Sequence, residues 1–185
     1  MTELRYRLYV IVGKSRTGKT KIAKRVQACH ESLQILQTDR FRPNGNDELA
    51  WRNIVSHLTK ARFTSDVLIE GVALTPKKVH ELSLDEFVVH KVVFLGYGSA
   101  SHADTILTHA RSNPESDWVS GQLRINPHYE NDVREWMRTG IPESAEMKNE
   151  AEAFGYGYFD ITDYSTFEEY AKAVAAYLSV GSATD

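Results

Sequence analysis

The chain contains one cysteine, Cys29, so an intrachain disulfide and a cysteine-based metal centre are both excluded. It has no run approaching the ~20 apolar residues that span a bilayer. It also lacks a basic excess: 22 Lys and Arg face 25 Asp and Glu, a formal net charge of −3. Nucleic-acid binders draw affinity from neutralising phosphates, so this balance weighs against a nucleic-acid partner. No internal repeat, low-complexity tract or Pro/Gly/Ser linker divides the sequence. None of the seven histidines falls in an H-E-x-x-H metal pattern, and no G-x-S-x-G elbow marks an ester or peptide hydrolase. The opening MTELRYRLYV lacks the features of a secretory signal, and the expected location is the cytoplasm.

What remains is an ordinary globular composition, with 42% apolar and 25% charged residues in 185. That length suits one domain over residues 1–185 with a substantial core. Apolar runs of strand length alternate with stretches of helical period. Strands are expected at residues 6–12 (YRLYVIV), 33–37 (LQILQ), 66–73 (DVLIEGVA), 90–95 (HKVVFL) and 158–162 (YFDIT). Helices are expected at 19–30, 47–60, 77–84, 99–112, 129–154 and 167–180. Gly140 and Pro142 should interrupt or shorten the one at 129–154. Leu49 and Cys29 are expected inside, and His102 and His109 on a surface helix face. Such alternation implies right-handed crossovers and a parallel sheet covered on both faces. Ligands of open sheets lie at the carboxyl ends of the strands.

The turn after the first strand reads Gly13-Lys14-Ser15-Arg16-Thr17-Gly18-Lys19-Thr20, a complete G-x-x-x-x-G-K-[ST] between a strand and an amphipathic helix. Gly13 and Gly18 let successive backbone N–H groups turn inward on a phosphate. The positive end of the following helix strengthens that anion site. Lys19 can reach the terminal phosphates, and the Thr20 hydroxyl can join a Mg²⁺ shell. The ligand expected is ATP with Mg²⁺. The Arg16 side chain, inside the loop, is expected to point outward.

The loop, Thr38-Asp39-Arg40-Phe41 after the second strand and Leu68-Ile69-Glu70-Gly71 closing the third together resemble the small P-loop kinases of nucleosides, nucleotides and other metabolites. The resemblance runs over residues 6–180. It implies a three-layer αβα P-loop NTPase fold with a five-stranded parallel sheet in the order 2-3-1-4-5. It also implies transfer of the ATP γ-phosphoryl group to a small-molecule acceptor. On that likeness Asp39 aligns or deprotonates the acceptor; the plainer alternative is that it caps its turn. Glu70 would stand behind the Mg²⁺ ligand Thr20, although it is Glu where Asp is more usual. Asp66, at the other end of its strand, should lie far from the site.

A cation must cover the transferring group, and the candidates are Arg111, Arg124, Arg134 and Arg138, with a lid expected within residues 99–140. Arg111 and Arg124 bracket an expected loop at 112–121. Trp51 either stacks on a planar acceptor or packs in the core. The rival readings are a nucleotide-dependent ATPase or switch acting through a partner, and a nucleic-acid end kinase. A GTPase is disfavoured, because no N-K-x-D guanine-reading sequence is present. Oligomeric state cannot be read from these residues.

Overall fold

The computed structural model describes residues 6–30, 32–84 and 87–179. Its five strands are β1 (Tyr6–Gly13), β2 (Gln34–Gln37), β3 (Val67–Gly71), β4 (Phe87–Tyr97) and β5 (Gly157–Ile161). The seven helices are α1 (Lys19–Cys29), α2 (Asp47–Lys60), α3 (Pro76–His80), α4 (His102–Ser112), α5 (Trp118–Ile125), α6 (Tyr129–Ala153) and α7 (Phe167–Ser179). Every strand pair is parallel, and the order is β2-β3-β1-β4-β5. Both the α/β class and the strand order are those expected from the resemblance.

The central strands carry continuous apolar runs, residues 8–12 of β1, 67–69 of β3 and 92–95 of β4, because both of their faces are covered there. Along β1, Tyr9 and Ile11 join a core with Ile22 and Val26 of α1, Ile106 and Leu107 of α4, and Val174 and Leu178 of α7. Leu8, Val10 and Val12 point the other way, into a second core with Ile54 and Leu58 of α2 and Val79 of α3. The strand register then fixes the chemistry. Ile11 pairs with Glu70, Val12 with Gly71, Gly13 with Leu95 and Gln37 with Glu70. The carboxyl ends of three neighbouring strands, β2, β3 and β1, therefore bring Gln37, Glu70 and residue 13 to one rim.

Helix α6 departs from expectation. It runs unbroken through Gly140 and Pro142, although an interior Pro costs about 3 kcal/mol and a Gly about 1. Packing overrides that cost. Val133 and Met137 bury in the first core and Ala151 in the second, so the helix passes the end of β4 between them. At that crossing Gly140 admits the Tyr97 ring, which a Cβ would press against. The Ser144 hydroxyl accepts from the Tyr97 N–H at 3.0 Å and donates to the Gly140 carbonyl at 2.6 Å.

Smaller differences share one cause, that periodicity places a residue on a helix face without saying what covers that face. Leu49 and Cys29 are exposed, whereas His102 is fully buried. The expected loop at 112–121 ends at Asp117, whose side chain caps α5 by accepting from the Val119 N–H at 2.9 Å. Val180, the expected end of the last helix, lies outside the described residues. Among the described residues, no helix is long and apolar enough to cross a membrane.

Candidate functional site

Residues 13–20 wrap from the end of β1 into α1. Gly13 is pressed so closely on the Leu95 backbone and side chain that a Cβ would overlap them. Gly18 caps α1 in the left-handed region at φ 81°, and its missing Cβ leaves room for the Phe167 ring. A side chain at that position would be strained and would also collide. The loop is tied to itself by the Thr17 hydroxyl, which donates to the Lys14 carbonyl at 2.9 Å. Lys14 N–H donates to the Leu95 carbonyl at 3.1 Å.

Lys19 is buried, and its ammonium donates to the Lys14 carbonyl at 2.7 Å. Burial pulls its pKa from 10.5 down to about 8, against the opposing pull of Glu70 and Asp39. A poorly solvated ammonium at the mouth of an anion-binding loop gains from an arriving phosphate. Beside it, Glu70 is 4% exposed. One of its carboxylate oxygens accepts from the Thr20 hydroxyl at 3.0 Å and from the Gln37 amide at 3.0 Å. A hydroxyl backed by a carboxylate is a hard oxygen pair of the kind Mg²⁺ takes together with phosphate and water. The residues present therefore fit that ion. Among the described residues, no group of three or more His, Cys, Asp and Glu could hold a metal without such help.

Arg16 does not point outward. It adopts φ 64°, a left-handed conformation uncommon for a side-chain-bearing residue. Its guanidinium turns back to the Asp117 carboxylate at 2.6 Å, with the two side chains 13% and 2% exposed. His109 Nδ1 lies 3.0 Å from the same carboxylate oxygen. Burial by itself would raise the Asp117 carboxyl, but the bonds from Arg16, His109 and the Val119 N–H outweigh it and hold the group below its ordinary value. From beneath, the Tyr97 hydroxyl donates to the Ser15 carbonyl at 2.5 Å. His102 hydrogen-bonds the Arg16 backbone, and burial drops its pKa to about 4. The loop is thus braced by α4, α5 and the end of β4.

Cavities border different stretches of the loop, among them one of about 190 Å³ against Tyr97, Trp136 and Gly140. A recess of about 240 Å³ is bounded by Arg16, Lys19, Thr20, Lys21, His109 and Phe167. A larger cleft of about 580 Å³ opens on the other side, from Val12–Ser15 to Val72–Pro76 and to α6.

The structure gathers Lys19, Thr20 and Glu70 in one place and leaves Asp39 exposed in a short 3₁₀ turn, close enough to influence Lys19. Asp66 is indeed at the far end of β3, where it accepts from the Arg7 N–H at 2.8 Å. None of these cavities is lined by Arg111, Arg124, Arg134 or Arg138. Arg111 pairs with Glu130, Arg134 with Asp104 and Arg138 with Glu135, while Arg124 is exposed. Trp51 is half-buried against the second core.

Sequence reasoning overlooked Asp117, Tyr97 and the α6 carboxylates Glu143, Glu146 and Glu150. Only Asp117 had a local signal, as an Asp before an amphipathic run. Tyr97 and Glu143 are tied to the loop by contacts between elements distant in sequence, and Glu146 and Glu150 are placed by the face of α6 that lines the larger cleft.

No protein-family model matches the chain, and no curated protein matches it. Among solved structures, shikimate kinase from Bacteroides thetaiotaomicron is similar with a TM-score of 0.56 at 14% identity, over 95% of this chain and 99% of that one. Shikimate kinase from Acinetobacter baumannii, solved in complex with shikimate, gives 0.49 at 13% identity, over 93% and 92%. At such identities the likeness speaks to the fold alone. With its parallel sheet in the order 2-3-1-4-5 and a complete phosphate loop after β1, the chain has the fold of the small P-loop kinases.

Proposed function

We propose that this protein transfers the γ-phosphoryl group of Mg·ATP to a hydroxyl or similar group of a small molecule. The observation that carries the reading is that separate cavities of about 240 Å³ and about 580 Å³ border different stretches of residues 13–20. A kinase needs a place for its nucleotide and a separate place for its acceptor, with the phosphate loop between them. A switch that only hydrolyses nucleotide has no use for the second.

In this reading the backbone of residues 13–20 and Lys19 hold the β- and γ-phosphates. Thr20 is the protein ligand of Mg²⁺, with Glu70 behind it in the outer shell. The ion, when bound, supplies neutralising charge to the phosphate oxygens. Asp39 aligns the acceptor or takes its proton. The cation over the transferring group comes from Arg111 or Arg124, which would have to move with α4 and α5, or from Arg16, which already lines the nucleotide recess. The acceptor cleft is walled by carboxylates, which weighs against a nucleic-acid end as acceptor.

The test is ADP release from Mg·ATP by the purified protein, with and without pooled metabolites, with Lys19→Ala as control. A pool that raises release many-fold, with the response lost in Lys19→Ala, is the expected result. Slow release that no pool stimulates would overturn the kinase reading in favour of a partner-dependent ATPase.

A further inference from the structure

The larger cleft carries an excess of negative charge. Four carboxylates line it, those of Asp47, Glu143, Glu146 and Glu150, against the two cations Lys14 and Arg42. Both cations are already matched, Lys14 by Glu143 and Arg42 by Asp47. Glu146 and Glu150 take part in no ion pair among the described residues. They stand one turn apart on α6, about 6 Å along its axis, and Met147 lies between them on the same wall. Leu74 and Pro76 form apolar surface elsewhere in the cleft.

That wall exists because α6 is continuous. Residues 143, 146, 147 and 150 share one helix face only if the 3.6-residue period survives Gly140 and Pro142, as it does.

Resting on the phosphotransfer reading, we infer that the acceptor is a cation, an amine-bearing alcohol with an apolar body. Its ammonium lies against Glu146 and Glu150, and its hydroxyl reaches the loop at residues 13–15. A carboxylate acceptor would meet two unmatched negative charges and no unmatched positive one. A cation would be held by both glutamates and would also sit favourably beside the phosphates. In turnover the acceptor oxygen forms the new bond to the γ-phosphorus. The bond from that phosphorus to the ADP oxygen breaks, ADP keeps the electron pair, and the hydroxyl proton passes to water, directly or by way of Asp39. The ammonium only positions.

The experiment divides a small-molecule extract by charge into cation-exchange-retained, anion-exchange-retained and unretained fractions, with shikimate as an added carboxylate alcohol. ADP release from Mg·ATP is measured with each, alongside Lys19→Ala. Stimulation confined to the cationic fraction is expected. Stimulation by the anionic or unretained fraction, or by shikimate, would overturn the cationic acceptor while leaving the kinase reading intact. If no fraction stimulates, the kinase reading fails and this inference fails with it. In the double variant Glu146→Gln/Glu150→Gln, the KM for the active cationic fraction should rise about tenfold or more. The kcat, the affinity for ATP and the unfolding midpoint should stay unchanged. An unmoved KM would overturn the role given to the α6 wall.

Discussion

The hydroxyl of Thr20, at the start of α1, donates a hydrogen bond of 3.0 Å to the Glu70 carboxylate, buried at the end of β3. Fifty residues of sequence separate them, and the parallel pairing of β1 with β3 brings them together. Glu70 is thereby a buried carboxylate that touches the residue expected to ligate Mg²⁺.

Glu70→Gln should consequently weaken Mg²⁺-dependent turnover by roughly 10- to 100-fold, the usual cost of losing an outer-shell partner. The informative measurement is a Mg²⁺ titration at fixed ATP. The half-saturating Mg²⁺ concentration should climb, while nucleotide affinity in the presence of a chelator changes little. An unchanged Mg²⁺ dependence would remove Glu70 from the metal site.

Lys19 should make nucleotide binding proton-linked. Burial holds its pKa at about 8 in the free protein, and a phosphate beside it favours the charged form. Binding should therefore take up a proton at about pH 8.5, where part of the free population is neutral, and almost none at about pH 7. Calorimetry in buffers of different ionisation enthalpy reads this directly. The pH-dependent uptake should vanish in Lys19→Ala.

His102 should make the fold acid-sensitive. Its folded pKa, about 4, lies below the ordinary 6.5, so the unfolded chain binds the proton more readily. The stability this depression confers is fully present above pH 6.5 and is lost as the pH falls through about 4, with a span of about 3 kcal/mol. In unfolding curves across that window, the advantage of the native chain over His102→Gln should shrink steadily towards the acid end. A constant difference would mean that His102 does not titrate in this way.

The Arg16–Asp117 pair should be structural as well as local to the loop. Both side chains are largely buried, and removing one partner of such a pair costs about 3–5 kcal/mol. Asp117→Ala should lower stability by that order, more than Asp117→Asn, which retains an oxygen to cap α5. Urea unfolding of the two variants and of Arg16→Gly/Asp117→Asn would measure it. If Asp117→Ala changes stability by less than about 1 kcal/mol, the brace is not holding the loop.

What was legible in the sequence was whatever depends on local pattern. The phosphate loop is a contiguous run whose geometry follows from two glycines, a preceding strand and a following helix. The alternation of apolar runs with helical periods requires a parallel sheet, and the unbroken apolar run at residues 8–12 of β1 requires cover on both faces. That Lys19, Thr20 and Glu70 would lie together was readable because each sits at a strand end or in the loop itself.

The tertiary structure decided what depends on distant neighbours. Gly140 and Pro142 look like a break, but burial of Val133, Met137 and Ala151 on two cores carries α6 through them. That continuity sets Glu143, Glu146 and Glu150 along the larger cleft. Arg16 looks like a solvated loop side chain until Asp117, 101 residues away, accepts it. The physical reason is the same in each case. Propensities act over one or two turns, whereas the free energy of burying a side chain or matching a charge depends on which elements the fold presses together.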